Sequence, residues 1–383
     1  MNILLVIDGL GVGAMTDVKE TRPQDIGTNT LQSISTIYQG KNFTELGLYN
    51  LKSNAQKTFL TKKIQTDICA LNYKGADSFL GHHYLIGNKI PHNKLFYIEN
   101  YAQDIVRAFG RKYSVTQNSH FFALDNNIFI ANNIEAEPGS VINVVANLKK
   151  IPFSKAIEVG EIIRKIINPL RTIVMGGKPC NHDIMSKNIR SRIDEKGNRI
   201  CGIDIPQTGI YNAHYQVVHL GKIQNKKKSP HLLEHLEKDG RKIALIGKTA
   251  DLFGNYGEII SQEIQTETTL KNIVQTIKKR EHDFLFTNIQ KIDLAGHAQN
   301  VIEAAKTLET IDNYLPTIVK AMKKSDRLII TADHGNDPLC GHSGHTREYV
   351  PFVSISNQNI PKNTKNLTDI ANEIGKDFGW KLG

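Results

Sequence analysis

The sequence predicts an α/β fold, a mostly parallel sheet flanked by helices, interrupted by a smaller inserted α+β domain. Short β-rich runs recur and lead to chemically active residues. Ile3–Ile7 runs into Asp8-Gly9, Lys242–Ile246 into Gly247-Lys248, Phe284–Ile289 toward Asp293, and Leu328–Thr331 into Asp333-His334. Helical patterns of roughly 10–20 residues fall between such runs, the rhythm of parallel strands joined by crossovers. From about Ile90 to about Tyr211 the rhythm breaks into strand-like pieces, one helix and loops rich in Lys, Asn and Gly. Residues 1–90 and 212–383 are therefore read as the core, and 91–211 as the insertion.

Each helix has a local reason. His231–Lys238 stops at Asp239-Gly240, where Gly suits a left-handed cap. Thr266–Lys279 carries Leu270, Ile273, Val274 and Ile277 at the spacing of one helix face. Val301–Lys323 repeats that spacing, with Pro316 expected to kink or split it. Leu367–Phe378 follows the capping residue Asn366. In the insertion, Asn127–Ala131 and Val141–Val145 read as strands and Ser154–Ile167 as a helix.

Composition excludes several classes. The chain has 383 residues, and 48 Lys and Arg against 38 Asp and Glu give a net charge of +10. An apolar share of 40% with 22% charged residues is that of a globular protein and not of a disordered one. Nothing approaches the ~20 apolar residues of a membrane span. The opening Ile3–Ile7 run lacks a basic flank and cleavage site, so it reads as a buried strand and not as a signal peptide. The four cysteines form no C-x-x-C pair, as expected of reduced thiols in a cytoplasmic protein. Basic residues are scattered apart from Lys226-Lys227-Lys228, and no zinc-finger spacing occurs. Neither a nucleic acid nor a membrane is expected as partner; a mildly basic surface suits anionic small substrates.

Four motifs carry the chemistry. Gly9-x-Gly11-x-x-Ala14 after a strand satisfies the dinucleotide fingerprint, yet Pro23 and the missing second strand argue against a nicotinamide oxidoreductase. The alternative is Asp8 as a metal ligand at the strand's carboxyl end. Asp333-His334 follows an Ile-rich strand, where both residues are costly unless paired or bound to metal, and His345 adds a donor from the same loop. Asp293 and His297, four residues apart, share one side of a helical turn. Together Asp8, Asp293, His297, Asp333, His334 and His345 supply O and N donors enough for two adjacent ions, suiting Mn²⁺, Zn²⁺ or Fe²⁺. Cys340-Gly341-His342 with His345 is a rival structural-zinc arm, lacking an evident fourth ligand. Ser78 lies in Gly75-Ala76-Asp77-Ser78-x-x-Gly81-His82. A hydroxyl beside divalent ions loses its proton more readily, so Ser78 is a candidate nucleophile for phosphoryl transfer.

These motifs, with Gly27-Thr28-Asn29-Thr30-Leu31, Gln216–Leu220, Gly247-Lys248-Thr249-Ala250-Asp251-Leu252-Phe253 and His345-Thr346-Arg347-Glu348-Tyr349-Val350-Pro351, resemble the alkaline-phosphatase superfamily, and within it the phosphopentomutase family. The matches run in family order along the chain. The resemblance implies an alkaline-phosphatase-like core with an inserted cap domain and two Mn²⁺ ions, with Zn²⁺ or Mg²⁺ as alternatives. It places Asp293, His297 and His345 on one ion, and Asp8, Asp333, His334 and the nucleophile's oxygen on the other. It implies an isomerase that interconverts ribose or deoxyribose 1- and 5-phosphates through a phospho-enzyme and a bisphosphate. The family nucleophile is a threonine where this chain has Ser78.

Departures gather around the substrate. Gly139 stands where the family has a sugar-contacting aspartate, and Met175 near the place of a phosphate-binding arginine. Arg190 or Arg192 is expected to replace a second arginine, and Lys248 is retained. A metal-dependent phosphatase or mutase for another phosphorylated metabolite is accordingly the second reading. The sequence does not fix the oligomeric state.

Overall fold

The computed structural model describes residues 1–51, 57–91, 95–118, 120–134, 139–178, 180–193, 198–210, 215–221, 230–357 and 364–382. The chain divides into two compact units, Met1–Ile90 with Lys228–Gly383, and Pro91–Lys227. In chain order the strands are β1 (Asn2–Ile7), β2 (Lys57–Phe59), β3 (Lys62–Cys69), β4 (Val115–Gln117), β5 (Phe121–Leu124), β6 (Ile128–Asn132), β7 (Val141–Asn147) and β8 (Arg171–Gly177). They continue with β9 (Ile189–Ile193), β10 (Arg199–Ile203), β11 (Tyr215–Gly221), β12 (Ile243–Ile246), β13 (Glu258–Ser261), β14 (Phe284–Ile289), β15 (Arg327–Thr331) and β16 (Val350–Ser356).

The first unit is built on an eight-stranded sheet of order β13-β12-β14-β1-β15-β16-β3-β2. Pairing is parallel from β13 through β15 and antiparallel over β16, β3 and β2, so the sheet is mixed. β1, β14 and β15 are buried at every position, as strands covered on both faces must be. Register then decides where the chemistry falls. Ile7 pairs with Ile289, Val6 with Thr331, and Ile246 with Thr287. The residues that follow, Asp8, Asp293, Asp333 and Lys248, therefore leave the sheet from one edge, the carboxyl edge where open parallel sheets bind ligands.

The helices Thr266–Lys279 and Leu367–Lys376 bury the apolar faces their spacing predicts. Val301–Ala321 differs from expectation, because it runs through Pro316 as one helix. Proline cannot donate to the carbonyl four residues back, that of Asp312. Here Asn42 Nδ2 donates to that carbonyl instead, at 2.9 Å. The buried Asp312 carboxylate in turn accepts from the amides of Asn42 (3.2 Å) and Phe43 (2.6 Å) and from the Tyr38 hydroxyl (3.2 Å). The proline is tolerated because a neighbouring segment satisfies the group it orphans.

In the second unit, a six-stranded sheet of order β11-β8-β7-β6-β5-β4 is antiparallel except between β7 and β8, which the helix Phe153–Ile167 connects. Alternate residues of β7 feed two cores: Ile142, Val144 and Ala146 on the helix side, Val141 and Val145 on the other. The unit extends past residue 211 because β11 pairs with β8. Arg190 and Arg192 lie on β9, which forms a hairpin with β10. Met175 is buried in the core beside Ile173 and Met185. Gly139 has φ +77°, and a side chain there would start 3.1 Å from Leu95 and Tyr97. Glu137 and Pro138, its neighbours in the motif, lie outside the described residues, as does Lys226-Lys227-Lys228.

Replacing Asp312 with Ala strands the two amides it accepts from. The expected loss is ~2–3 kcal/mol, or a melting temperature lower by about 5–10 °C in a thermal scan.

Candidate metal centre

All the donor residues singled out from sequence stand at the carboxyl edge of the first unit's sheet. Asp8 follows β1, and Asp333 and His334 follow β15. Asp293 and His297 are on the short helix Lys291–His297, while His345 is on the loop leading to β16. Asp8, Asp333 and His334 are fully buried, and Asp293 and His345 nearly so. Close approach of backbones explains the glycines. A side chain on Gly9 would meet Asp293 and Asn336, and one on Gly81 would lie 2.5 Å from the Asp333 carbonyl. Gly11 packs against Glu348, and no helix begins until Val18. The glycine motif thus serves as a tight turn beside Asp8, and the strand–turn–helix of a dinucleotide site is not formed.

The imidazoles are oriented by backbone carbonyls. Nδ1 of His334 faces the Gly335 carbonyl at 3.0 Å, that of His345 the Ala76 carbonyl at 2.8 Å, and that of His297 the Ser343 carbonyl at 2.6 Å. A carbonyl only accepts, so each Nδ1 carries the proton and each Nε2 is left as the donor atom turned inward. Those Nε2 atoms meet carboxylates: His297 lies 3.4 Å from Asp293 Oδ2, His345 3.5 Å from Asp293 Oδ1, and His334 3.4 Å from Asp8 Oδ1 and 3.1 Å from Asp333 Oδ2.

Two groups of donors converge among the described residues: Asp293, His334 and His345, and Asp8, His82 and Asp333. These two groups of buried His and Asp fit a binuclear metal centre. The grouping differs from the one the resemblance implies, since His82 replaces His334 beside Asp8 and Asp333. Hydrogen bonding accounts for His82. Its Nδ1 lies 2.9 Å from the Ser78 carbonyl and 3.1 Å from Asp333 Oδ2, while its Nε2 meets Asn288 Nδ2 at 2.9 Å. Both ring nitrogens are thus engaged by protein atoms. By contrast, Asp8 Oδ1 and His334 Nε2 are buried and, close as they lie to each other and to Asp333, make no well-aligned hydrogen bond among the described residues. Buried polar atoms without partners are uncommon, and a cation between them would satisfy both. Cys340 belongs to neither group, and His342 turns its Nε2 to Asp25 at 3.2 Å, so the zinc-arm alternative is not assembled.

Charge is balanced within the site. Burial alone would raise the carboxyls of Asp293 and Asp333. The imidazoles around them, with Lys248 beside Asp293, prevail and hold both well below the usual range. Burial likewise opposes a charged His334, yet the carboxylates of Asp333, Asp8 and Asp293 raise it well above an ordinary histidine. For His345, burial and the neighbouring His334 win and lower it well below.

Ser78 is the first residue of the helix Ser78–Leu85, whose cap Asp77 accepts from the Leu80 amide at 3.0 Å. Its Oγ donates to Asp333 Oδ2 at 2.6 Å and accepts from Lys248 Nζ at 2.9 Å. Arg347 pins the preceding turn through the carbonyls of Tyr73 (2.8 Å) and Gly75 (2.6 Å). Lys248 also reaches Asp8 Oδ2 at 2.7 Å.

His82 closes the Ser78 motif but carries no role in the sequence reading, and Asn288 is absent from that reading altogether. Asn288 Nδ2 bridges Asp8 Oδ2 (3.0 Å) and His82 Nε2, linking the Asp8 and Asp333 sides of the centre. Asn288 sits inside a hydrophobic strand, and that polar interruption was the available signal. Glu348 accepts from the Gly13 and Thr30 amides and from the hydroxyls of Thr30 and Thr346, tying the Asp8 turn to the His345 loop.

A site of this composition, hung from the carboxyl ends of an α/β sheet, belongs to a class of metal-dependent enzymes. The match to the Metalloenzyme superfamily spans residues 1–382, so the chain belongs to that alkaline-phosphatase-like family. Among curated relatives, the phosphopentomutase of Alkaliphilus metalliredigens (strain QYMF) is 27% identical over 374 residues, covering 93% of this chain and 88% of its own length. That of Clostridium kluyveri (strain ATCC 8527) is also 27% identical, over 98% of this chain and 93% of its own. A solved phosphoglycerate mutase of Leishmania mexicana aligns over 100% of this chain and 96% of its own at 11% identity, with a TM-score of 0.48.

Glu348 gives a pH test. Burial raises its carboxyl from 4.5 to about 7, against the lowering hydrogen bonds from Thr346, Thr30 and Gly13. The folded state then binds more protons than the unfolded between those values, so the penalty is absent below the lower one and complete above the upper. Wild type should lose stability as pH rises through that window by on the order of 1–3 kcal/mol relative to Glu348→Gln. Parallel melting curves for the two proteins would contradict this.

Proposed function

We propose that the chain is a cytoplasmic phosphomutase that interconverts ribose or deoxyribose 1- and 5-phosphates through phospho-Ser78, with two divalent cations, Mn²⁺ by preference. The observation that carries this reading is the Ser78 hydroxyl, buried among paired Asp and His donors and already hydrogen-bonded to Asp333 and Lys248. The phosphopentomutase relatives, aligned over nearly the whole chain, supply the reaction class.

Asp293, His297 and His345 would hold one ion, and Asp8, Asp333, His334 and Ser78 Oγ the other. The chemistry the ions supply is a lowered hydroxyl pKa and compensation of charge on the attacking and leaving oxygens. The protein's own part begins with Asp333, whose Oδ2 takes the hydrogen bond of the Ser78 hydroxyl and points its oxygen. Attack of Oγ on a sugar phosphate forms the Oγ–P bond and breaks the sugar O–P bond; the hydroxyl proton passes by way of Asp333 to the departing oxygen, so the sugar leaves as its free alcohol and phospho-Ser78 remains. In the mutase cycle that phosphoryl passes to a pentose monophosphate, and the opposite phosphoryl of the resulting bisphosphate returns to Ser78. The start of the Ser78–Leu85 helix favours negative charge at that oxygen. Burial excludes competing water.

Met175 in the core, and Gly139 in a left-handed conformation that a side chain would strain, favour a second reading, a phosphatase or mutase for another phosphorylated metabolite. Substrate assays separate the two. On the first reading the Mn²⁺-loaded protein converts ribose 1-phosphate to ribose 5-phosphate, and Ser78→Ala lowers the rate by at least about 10³-fold and abolishes labelling by phosphoryl donor. Label persisting in that variant would sink the nucleophile assignment. Turnover of other sugar phosphates without ribose 1-phosphate activity would favour the second reading.

A further inference from the structure

Lys248 holds an unusual place for a lysine. It is buried, it opens the helix Lys248–Phe253, and it follows Gly247 at φ +73°, where a side chain would start 2.4 Å from the Asn288 carbonyl. The backbone is fixed, and the ammonium is delivered to the middle of the donor set. Nζ lies 2.7 Å from Asp8 Oδ2, 2.9 Å from Ser78 Oγ and 3.9 Å from Asp293 Oδ2. The oxygens it engages are those that, on the reading above, hold the two cations. An ammonium and a divalent ion on the same oxygens repel each other, and the Asp8 lone pair aimed at Nζ is withheld from an ion.

We propose that Lys248 is an internal counter-ion. It stands in a cation position of the metal-free centre, neutralises the buried carboxylates there, and draws back from Asp8 and Ser78 as ions load. This rests on the two-cation reading. Two consequences follow from the charge arithmetic. The metal-free centre stays folded although three carboxylates converge in it, and ion binding is weaker than the donor set alone would give, so that ions exchange. A flexible four-carbon stem can make such a withdrawal without moving the backbone.

The test uses the EDTA-stripped full-length chain and direct Mn²⁺ titration followed by the electron paramagnetic resonance of free Mn²⁺, with melting temperatures measured alongside. Lys248→Met removes the charge and keeps most of the stem; Lys248→Arg keeps the charge. The expected result is Mn²⁺ binding at least about tenfold tighter in Lys248→Met. That variant should also melt lower than wild type in EDTA and recover on adding Mn²⁺, while Lys248→Arg binds no tighter than wild type. Lys248→Gln replaces the methionine variant if the latter does not fold with Mn²⁺ present. Equal or weaker Mn²⁺ binding by the uncharged variant, with wild type binding normally, overturns the counter-ion role alone. Wild type that takes up no Mn²⁺, indistinguishable from Asp293→Ala, overturns the two-cation reading and the counter-ion with it.

Discussion

Mutual repulsion among Asp8, Asp293 and Asp333, brought together by neighbouring strand ends and removed from water, is the constraint around which the first unit is arranged. An isolated buried carboxylate costs several kcal/mol unless it is paired and hydrogen-bonded. Here Lys248 and His334 supply countercharge, and the rings of His82, His297 and His345 lie against the carboxylates. Two carboxyls are thereby kept ionised. The atoms left unsatisfied, Asp8 Oδ1 and His334 Nε2, mark where protein groups alone do not complete the balance.

Holding so many charged groups in one place requires backbones closer than side chains normally permit. Gly9, Gly81 and Gly247 stand at those approaches, each with a neighbouring main chain where its Cβ would be. Carbonyls of Ala76, Gly335 and Ser343 fix the imidazole tautomers, and Arg347 and Glu348 fasten the loops that carry those carbonyls. The result is a preorganised set of donors, the arrangement that phosphoryl transfer demands, because little of its catalysis comes from covalent chemistry other than the nucleophile.

The second unit is organised by different forces. Its sheet is covered on both faces by apolar side chains, and Met175 is one of them. Where the phosphopentomutase family is expected to present an arginine, this chain has a residue committed to packing. Gly139 is likewise held by its own backbone conformation and by Leu95 and Tyr97. Both departures are changes in what the local structure can accommodate.

Sequence by itself determined the α/β class, the buried strands and the Asp and His donors that meet at the sheet's carboxyl edge, because apolar runs that end on Asp or His announce both a core and a costly polar edge. It also determined the family, since the motifs fall in one order along the chain. Tertiary structure decided what depends on contacts between distant segments. The antiparallel side of the sheet is one such case: pairing partners are not encoded in the periodicity of β16 or β3. Pro316 staying inside its helix is another, since the remedy is Asn42, some 270 positions away. The inward roles of His82 and Asn288 are a third. Neither stands out by composition, and each matters because strand register brings Asn288 beside Asp8 while the Ser78 helix brings His82 beside Asp333.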